Sequence, residues 1–278
     1  MKKAIFSTEI NLLRSTMQRL LRRSAHTNIA KILRKTHQAD VAQIMRNLNQ
    51  YDQNTIFSLC PTAVHKARLL EELDEALIEK VLENESSKTI SKIFRYLDTN
   101  DQATIISMFS EDKQNEILKI IEVDDKEEVE EIMSYPDDSA GSIMTKETFT
   151  LDQNTSVKDS IKKLQSFPEN DKIFYLYVLD KKEKLVGVVS LRTLVTSKNS
   201  KKLKDIMIKD IQAATTDTDQ EEVAKKVAQY NYLALPVVNR QNRFLGIVTI
   251  DDVVDIIGKR RLKIFCKWRV WEKTEKFS

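Results

Sequence analysis

From residue 37 to 134 apolar residues recur at intervals of three and four, the spacing that puts side chains on one face of a helix. Val41, Ile44, Met45 and Leu48 form one group, and Ile56 with Leu59 a second. Leu69, Leu70, Leu73 and Leu77 form a third, and Ile90, Ile93, Phe94 and Leu97 a fourth. The pattern predicts successive short helices. Residues 1–36 set Leu12, Leu13, Met17, Leu20 and Leu21 against Arg14, Arg19, Arg22 and Arg23 at helical spacing, which predicts one or two amphipathic helices. These either pack on the next domain or touch an anionic membrane surface. Beyond Tyr135-Pro136 the character changes. β-Branched and aromatic runs at Ile173–Leu179, Leu185–Ser190, Leu235–Val238 and Phe244–Ile250 read as strands. Helical patterns at Val157–Phe167 and Glu221–Tyr230 lie between them, an alternation that implies α/β architecture.

Two internal repeats organise the chain. Residues 42–61 align with 91–110 at an offset of 49, matching at eight of twenty positions. Repeated helix pairs expose apolar faces that only neighbouring pairs cover, so they stack as a solenoid. In the second half, Leu185-Val186-Gly187-Val188-Val189-Ser190-Leu191 matches Phe244-Leu245-Gly246-Ile247-Val248-Thr249-Ile250 at an offset of 59. Tyr177–Asp180 aligns with Pro236–Asn239 at the same offset, and Ile143-Met144 matches Ile206-Met207 upstream. Each unit then reads as a Met-containing lead-in, strand, helix, strand, turn, Gly-containing strand and helix. Gly187 and Gly246 occupy equivalent positions, which fits a close backbone approach or a bend.

Composition narrows the function classes. The 278 residues are 41% apolar and 31% charged, with four Gly and four Pro, so collagen-like and disordered readings fail. Cys60 and Cys266 have no partner spacing, which argues against a disulfide scaffold or zinc ribbon and for a reducing compartment. The net charge of +3 is unevenly spread. Residues 1–38 carry nine Lys or Arg against Glu9, and 259–278 carry eight against Glu272 and Glu275. The body between holds 28 cations and 39 carboxylates, a net of −11 that points to cation binding. The best apolar run, Phe244 to Ile257, is broken by Asp251, Asp252 and Asp255 and falls short of a bilayer span. No secretory leader is visible, so the chain as given is expected to be soluble and cytoplasmic.

The second-half unit resembles a CBS domain, on LVGVVSLRTL (185–194), ALPVVNRQNRFLGIVTIDDVVDII (234–257) and the two Met lead-ins. The whole chain from about 35 to 257 resembles the cytosolic part of the MgtE-type magnesium transporters. HQADVAQIM (37–45), YPDDSAGSIMT (135–145), TDTDQEEVAKKVAQYNYLALPVV (216–238) and GIVTIDDVVDII (246–257) carry that likeness. The implied fold is α+β: an all-α, solenoid-like helical superhelix followed by a tandem α/β CBS pair. The implied divisions are a basic lead-in (1–36), a helical N-domain (37–134), CBS domain 1 (135–200), CBS domain 2 (201–257) and a divergent basic tail (258–278). The implied role is Mg²⁺ sensing for a homodimeric, membrane-embedded pore that intact relatives carry in the inner or plasma membrane. Dimerisation runs through the CBS pair, and neither catalysis nor nucleic acid is part of the picture.

The residues fit that role chemically. Mg²⁺ takes hard oxygen ligands and keeps several waters, so clustered carboxylates hold it, not a His/Cys cage. Asp251 and Asp255, four apart on the helix after strand Phe244–Ile250, share a face, and their repulsion would be relieved by a divalent ion. By resemblance, Asp252 and Asp255 match magnesium positions on the CBS side, and Asp101 of LDTNDQATI matches one on the N-domain side. Thr104 and Ser107 replace the further acids found in many relatives. The alternative for each carboxylate is a helix-start acid favoured by the macrodipole. The acidic runs 71–75 and 122–131 read as solvated helix faces. CBS pairs also bind adenine nucleotides such as ATP or AMP through Ser/Thr-x-x-Asp. Thr249 and Asp252 supply that pattern, whereas Ser190 is followed by Thr193 in place of the acid, so at most one good nucleotide site is expected. His26, His37 and His65 lack metal-ligand spacing, and no P-loop, GxSxG or HExxH occurs. The likeness stops at Ile257, where intact relatives continue with an acidic helix and pore helices. The tail reads as a frameshift product, in which Cys266, Trp268 and Trp271 have no selected role. The competing view is a stand-alone CBS-pair regulator that binds adenine nucleotide and ends in a basic tail.

Overall fold

The computed structural model describes residues 2–83, 85–121, 123–167, 173–254 and 256–258, with side chains left aside at 2–8 and 123–125. The chain forms two compact units that divide between Glu127 and Glu128.

The first unit is wholly helical. It opens with α1 (Lys2–Arg22) and α2 (His26–Leu33), joined by a turn in which Ser24 takes φ 49°. There follow α3 (Gln38–Met45), α4 (Gln50–Ser58), α5 (Ala63–Glu71), α6 (Glu75–Leu82), α7 (Ser87–Phe94), α8 (Thr99–Ser107) and α9 (Glu111–Leu118), with α10 (Val123–Met133) crossing into the second unit. Polar caps keep the helices short. Asn49, Thr62, Asp74 and Ser86 each accept a backbone N–H at the start of α4 to α7, as N-cap residues do. His37 caps α3 through Nδ1, and the Nδ1 of His65 lies 2.8 Å from the Thr62 hydroxyl, so two of the three histidines serve helix starts.

The stacking is that of a solenoid: α3 packs on α5, α5 on α7, α7 on α9, and likewise α4 on α6 and α6 on α8. The 49-residue repeat is visible in the boundaries, since α3 and α4 shifted by 49 are α7 and α8. It is also visible in one polar device. Gln53 Nε2 donates to the carbonyls of Met45 (2.9 Å) and Leu48 (3.0 Å), and Gln102 Nε2 donates to those of Phe94 (3.1 Å) and Leu97 (2.9 Å). Each buried amide thus adds a second bond to the Met45 or Phe94 carbonyl, which already accepts from the Leu48 or Leu97 N–H, and serves the Leu48 or Leu97 carbonyl just past the preceding helix.

The second unit holds two three-stranded sheets. The first has β1 (Thr150–Asp152), β2 (Tyr175–Leu179) and β3 (Leu185–Ser190) in the order β1-β2-β3, with α12 (Val157–Gln165) between the first two strands and α13 (Leu191–Thr196) after the third. The second has β4 (Ala214–Thr215), β5 (Ala234–Val238) and β6 (Phe244–Thr249), with α14 (Gln220–Tyr230) between the first two. In both, the first pairing is parallel and the second antiparallel. The 59-residue offset is preserved in register: Tyr175 faces Ser190 as Ala234 faces Thr249, and the bulges at Val178/Leu179 and Val237/Val238 coincide. The two-residue β4 and three-residue β1 carry too little pattern to be read from sequence.

One arrangement differs from the sequential reading of the repeat. The lead-ins are exchanged. Thr145, just after α11 (Ala140–Ile143), bridges Ile247 of the second sheet, whereas Ile208 bridges Val188 of the first. Met144 packs in the core with Val237 and Val248, and Met207 packs against the cluster of Leu176, Val178 and Val189. The glycines explain why. A Cβ on Gly246 would stand 2.5 Å from the Thr145 carbonyl oxygen, and one on Gly187 would stand 2.3 Å from the Met207 sulfur. Each glycine is the floor on which the other half's lead-in lies. A third cluster, with Tyr177, Leu185, Ala234, Val238 and Ile247, joins the two sheets.

Candidate functional site

After β6 the backbone turns directly into helix from residue 250. Thr249 is its cap. Asp252 Oδ2 accepts from the Thr249 N–H (3.0 Å) and hydroxyl (2.6 Å), while the Asp252 N–H approaches the Thr249 oxygen at 3.5 Å. This is a capping box, in which cap and third helical residue satisfy each other's backbone groups. The acidic start of this helix therefore has a structural role. Thr249 is buried, Asp252 half-buried and Asp251 exposed. In the first sheet the hydroxyls of Ser190 and Thr193 take the same places, 2.9 Å apart, so the equivalent position lacks a carboxylate.

Asp255 lies outside the described residues, as do Cys266, Trp268 and Trp271. Asp101 sits in the first turn of α8, half-buried, three residues after the cap Asp98. Among the described residues no group of three His, Cys, Asp or Glu side chains is assembled to hold a metal. The donor chemistry of Asp251 and Asp252 fits Mg²⁺, which binds through one or two carboxylates and retained waters.

A cavity of about 260 Å³ opens between the two sheets, lined by Tyr175 and Tyr177 of β2, Val188 of β3, Ala234 and Pro236 of β5, residues 208 and 210–212 of the connecting segment, and Tyr232. Ala234 is the register partner of Thr249. Tyr230 and Tyr232 stack with centroids 5.5 Å apart and planes at 21°. Burial raises the Tyr232 phenol above its ordinary value, and Tyr230 and Asp210 add to the effect, so it stays a neutral donor. Tyr177 is 2% exposed, stacked on Phe244 at 5.0 Å, and its hydroxyl has no hydrogen-bond partner among the described residues. Burial pushes its phenol far above the ordinary range. The cavity thus offers aromatic faces, one carboxylate and unfilled hydroxyl capacity, which suits a flat, polar-edged ring. Sequence reasoning passed over these residues, although four of the seven tyrosines fall in two short runs, 175–177 and 230–232.

The segment before α11 is built onto the second sheet. The Tyr135 ring covers Gly141, where an added Cβ would lie 2.5 Å from it. Ala140 and Gly141 donate to the carbonyls of Thr218 (2.7 Å) and Thr216 (3.0 Å). Glu131 of α10 accepts from the Tyr135 hydroxyl (2.7 Å) and from Lys146. Burial works to raise the Glu131 carboxyl, but the Lys146 and Tyr135 hydrogen bonds outweigh it and hold it below its ordinary value.

A pair of such half-sheets with exchanged lead-ins, glycine floors and a cavity between them defines a CBS pair. Residues 140–199 and 203–259 match the CBS domain family, and residues 36–138 match the MgtE intracellular N domain. The chain therefore carries an MgtE N domain followed by two CBS domains, the composition of the cytosolic part of an MgtE magnesium transporter. It is similar to "Magnesium transporter MgtE" of Bacillus subtilis, 40% identical over 141 residues, or 50% of this chain and 31% of that one. The protein of the same name from Thermus thermophilus is 40% identical over 131 residues, 47% and 29% of the two chains. The matched segment thus spans about a third of these curated relatives. Among solved structures, the cytosolic domain of the Mg²⁺ channel MgtE in complex with ATP superimposes with a TM-score of 0.81 at 28% identity, covering 87% of this chain and 99% of that one. The soluble part of a magnesium transporter shares the fold at a TM-score of 0.77 and 23% identity. No helix among the described residues is long and apolar enough to cross a membrane.

Proposed function

We propose that this chain is the gating portion of an MgtE-type magnesium transporter. It responds to Mg²⁺ through carboxylates of its N domain and CBS pair, namely Asp101, Asp251, Asp252 and Asp255. The observation that carries the reading is the coincidence, in one chain, of an MgtE N domain and a CBS pair whose last helix opens on adjacent carboxylates. A body of net charge −11 repels itself. A hard divalent ion shared between acidic surfaces removes that repulsion, and its loss lets the units separate. Scattering and calorimetry test this. Millimolar Mg²⁺ is expected to reduce the radius of gyration and raise the melting temperature relative to chelator. Asp252→Asn with Asp255→Asn is expected to abolish the binding heat. Identical scattering and melting in chelator and excess Mg²⁺ would overturn the reading.

Adenine nucleotide, ATP or AMP, is the second ligand in this proposal. The cavity beside Tyr175 and Tyr232 favours it, and so does the ATP named for the similar cytosolic domain. Tyrosine faces suit the purine, Asp210 or Asp252 the ribose, and the Thr249 hydroxyl a phosphate. Tyr232→Ala is expected to weaken ATP binding by up to ~10-fold, about the worth of a lost aromatic stack. Saturable nucleotide binding without Mg²⁺-dependent compaction would favour a stand-alone regulator. Homodimerisation through the CBS pair completes the proposal. Val195 of α13 and Val254, equivalent at the 59-residue offset, are 68% and 58% exposed on the helices a second copy would cover.

A further inference from the structure

Helices α1 and α2 precede every residue matched by the two domain families, and the function proposed above leaves them unused. Arg19, Arg22 and Arg23 stand at i, i+3 and i+4 in and just after α1. Lys31, Arg34 and Lys35 repeat that spacing at the end of α2. All six are exposed. The buried residues Met17 of α1 and Ile29 and Leu33 of α2 lie two positions from Arg19 and Lys31, which puts them on the opposite side of each helix. None of the six cations has an ion-pair partner among the described residues, whereas Lys66, Lys146, Lys226, Arg240 and Arg243 each pair with a carboxylate. Leu12, one heptad before Arg19 and hence on the same stripe, is 69% exposed. The outward row of α1 therefore combines a large apolar side chain with unpaired guanidinium groups.

Such a row attracts polyanions, of which nucleic acid and anionic lipid are the two extended kinds. Leu12 separates them. Against a phosphate backbone it stays wet and contributes nothing. At a bilayer surface it enters the acyl boundary while the arginines sit among the headgroup phosphates. No Phe, Tyr or Trp occurs between Glu9 and Thr36, so nothing there stacks on bases. We infer that the outward face of α1 and α2 docks on an anionic lipid surface.

Vesicle co-sedimentation of the full chain tests this, with phosphatidylcholine vesicles containing or lacking about 30% phosphatidylglycerol. The chain is expected to partition onto the anionic vesicles only, and to leave them as salt is raised from about 0.05 to about 0.5 M. The triple variant Arg19→Gln, Arg22→Gln, Arg23→Gln is expected to lower the partition coefficient by about 100-fold, at roughly a factor of five per cation. Leu12→Ser is expected to lower it several-fold. Circular dichroism melting of both variants reports that the helices are intact. Three results overturn the inference: no enrichment on anionic over neutral vesicles, undiminished binding by the triple variant, or displacement by duplex DNA with Leu12→Ser leaving lipid partition unchanged. The last would assign the face to nucleic acid.

Discussion

The two buried glutamines make the helical unit's energetics measurable. Replacing Gln102 with Met keeps length and volume but removes the donor that serves the Phe94 and Leu97 carbonyls. Each of those acceptors then loses a hydrogen bond, at about 1 kcal/mol apiece; the Phe94 carbonyl keeps the Leu97 N–H, and the Leu97 carbonyl is left unsolvated at a further ~1 kcal/mol. Against this, the Gln102 Oε1 is itself buried without a partner among the described residues, and its removal returns about 1–2 kcal/mol. The thioether adds favourable apolar burial. The expected net cost of Gln102→Met is about 1–2 kcal/mol. Gln53 makes the same two bonds, but its oxygen is not among the orphaned acceptors. Gln53→Met lacks the compensation and is expected to cost about 1 kcal/mol more. Urea unfolding followed by far-ultraviolet circular dichroism reads both. At a slope of about 1–3 kcal/mol per molar urea, the midpoints separate by about 0.5 M or more. A Gln102→Met midpoint at or above the native one, or equal losses at the two sites, would refute the reasoning.

Other consequences are as direct. Gly246→Ala pushes a methyl into the Thr145 carbonyl and strains the Thr145–Ile247 bridge. A loss of about 1–3 kcal/mol is expected in thermal unfolding of the CBS unit. Glu131 has a lowered folded pKa, so its pairing with Lys146 and Tyr135 stabilises above the unfolded value of 4.5 and fades as pH falls through the folded one. Glu131→Gln is therefore expected to lower the melting temperature at pH 7 and to match the native chain under acid. Burial pushes the Cys60 thiol up to about 11, so a thiol reagent at pH 7 is expected to label it only after unfolding, as read by mass spectrometry.

Much of this architecture is written in the chain, and the parts that are not share a cause. Both repeats are legible because each records a packing requirement at a constant offset. The 49-residue repeat preserves Gln53 and Gln102, and the 59-residue repeat preserves Gly187 and Gly246. The reason for those residues was not legible, since the helix-end carbonyls that the glutamines serve are set by the local backbone path, and the lead-in contacts of the glycines exist only once distant segments meet. β1 and β4 escaped because pairing partners, not side-chain pattern, make them strands. The Thr249–Asp252 pair was legible as chemistry, and the structure adds that it closes a capping box. The tyrosine cavity was missed because its lining comes from Tyr175, Asp210 and Tyr232, whose convergence depends on the sheets lying together.

The exchange of lead-ins has a consequence for how this half of the chain can be divided. A cut near residue 200 would hand each fragment a tongue belonging to its neighbour and leave its own glycine groove bare. Neither fragment is expected to fold alone. The pair is expected to fold and unfold as one piece, each sheet being held by the other's covalent thread.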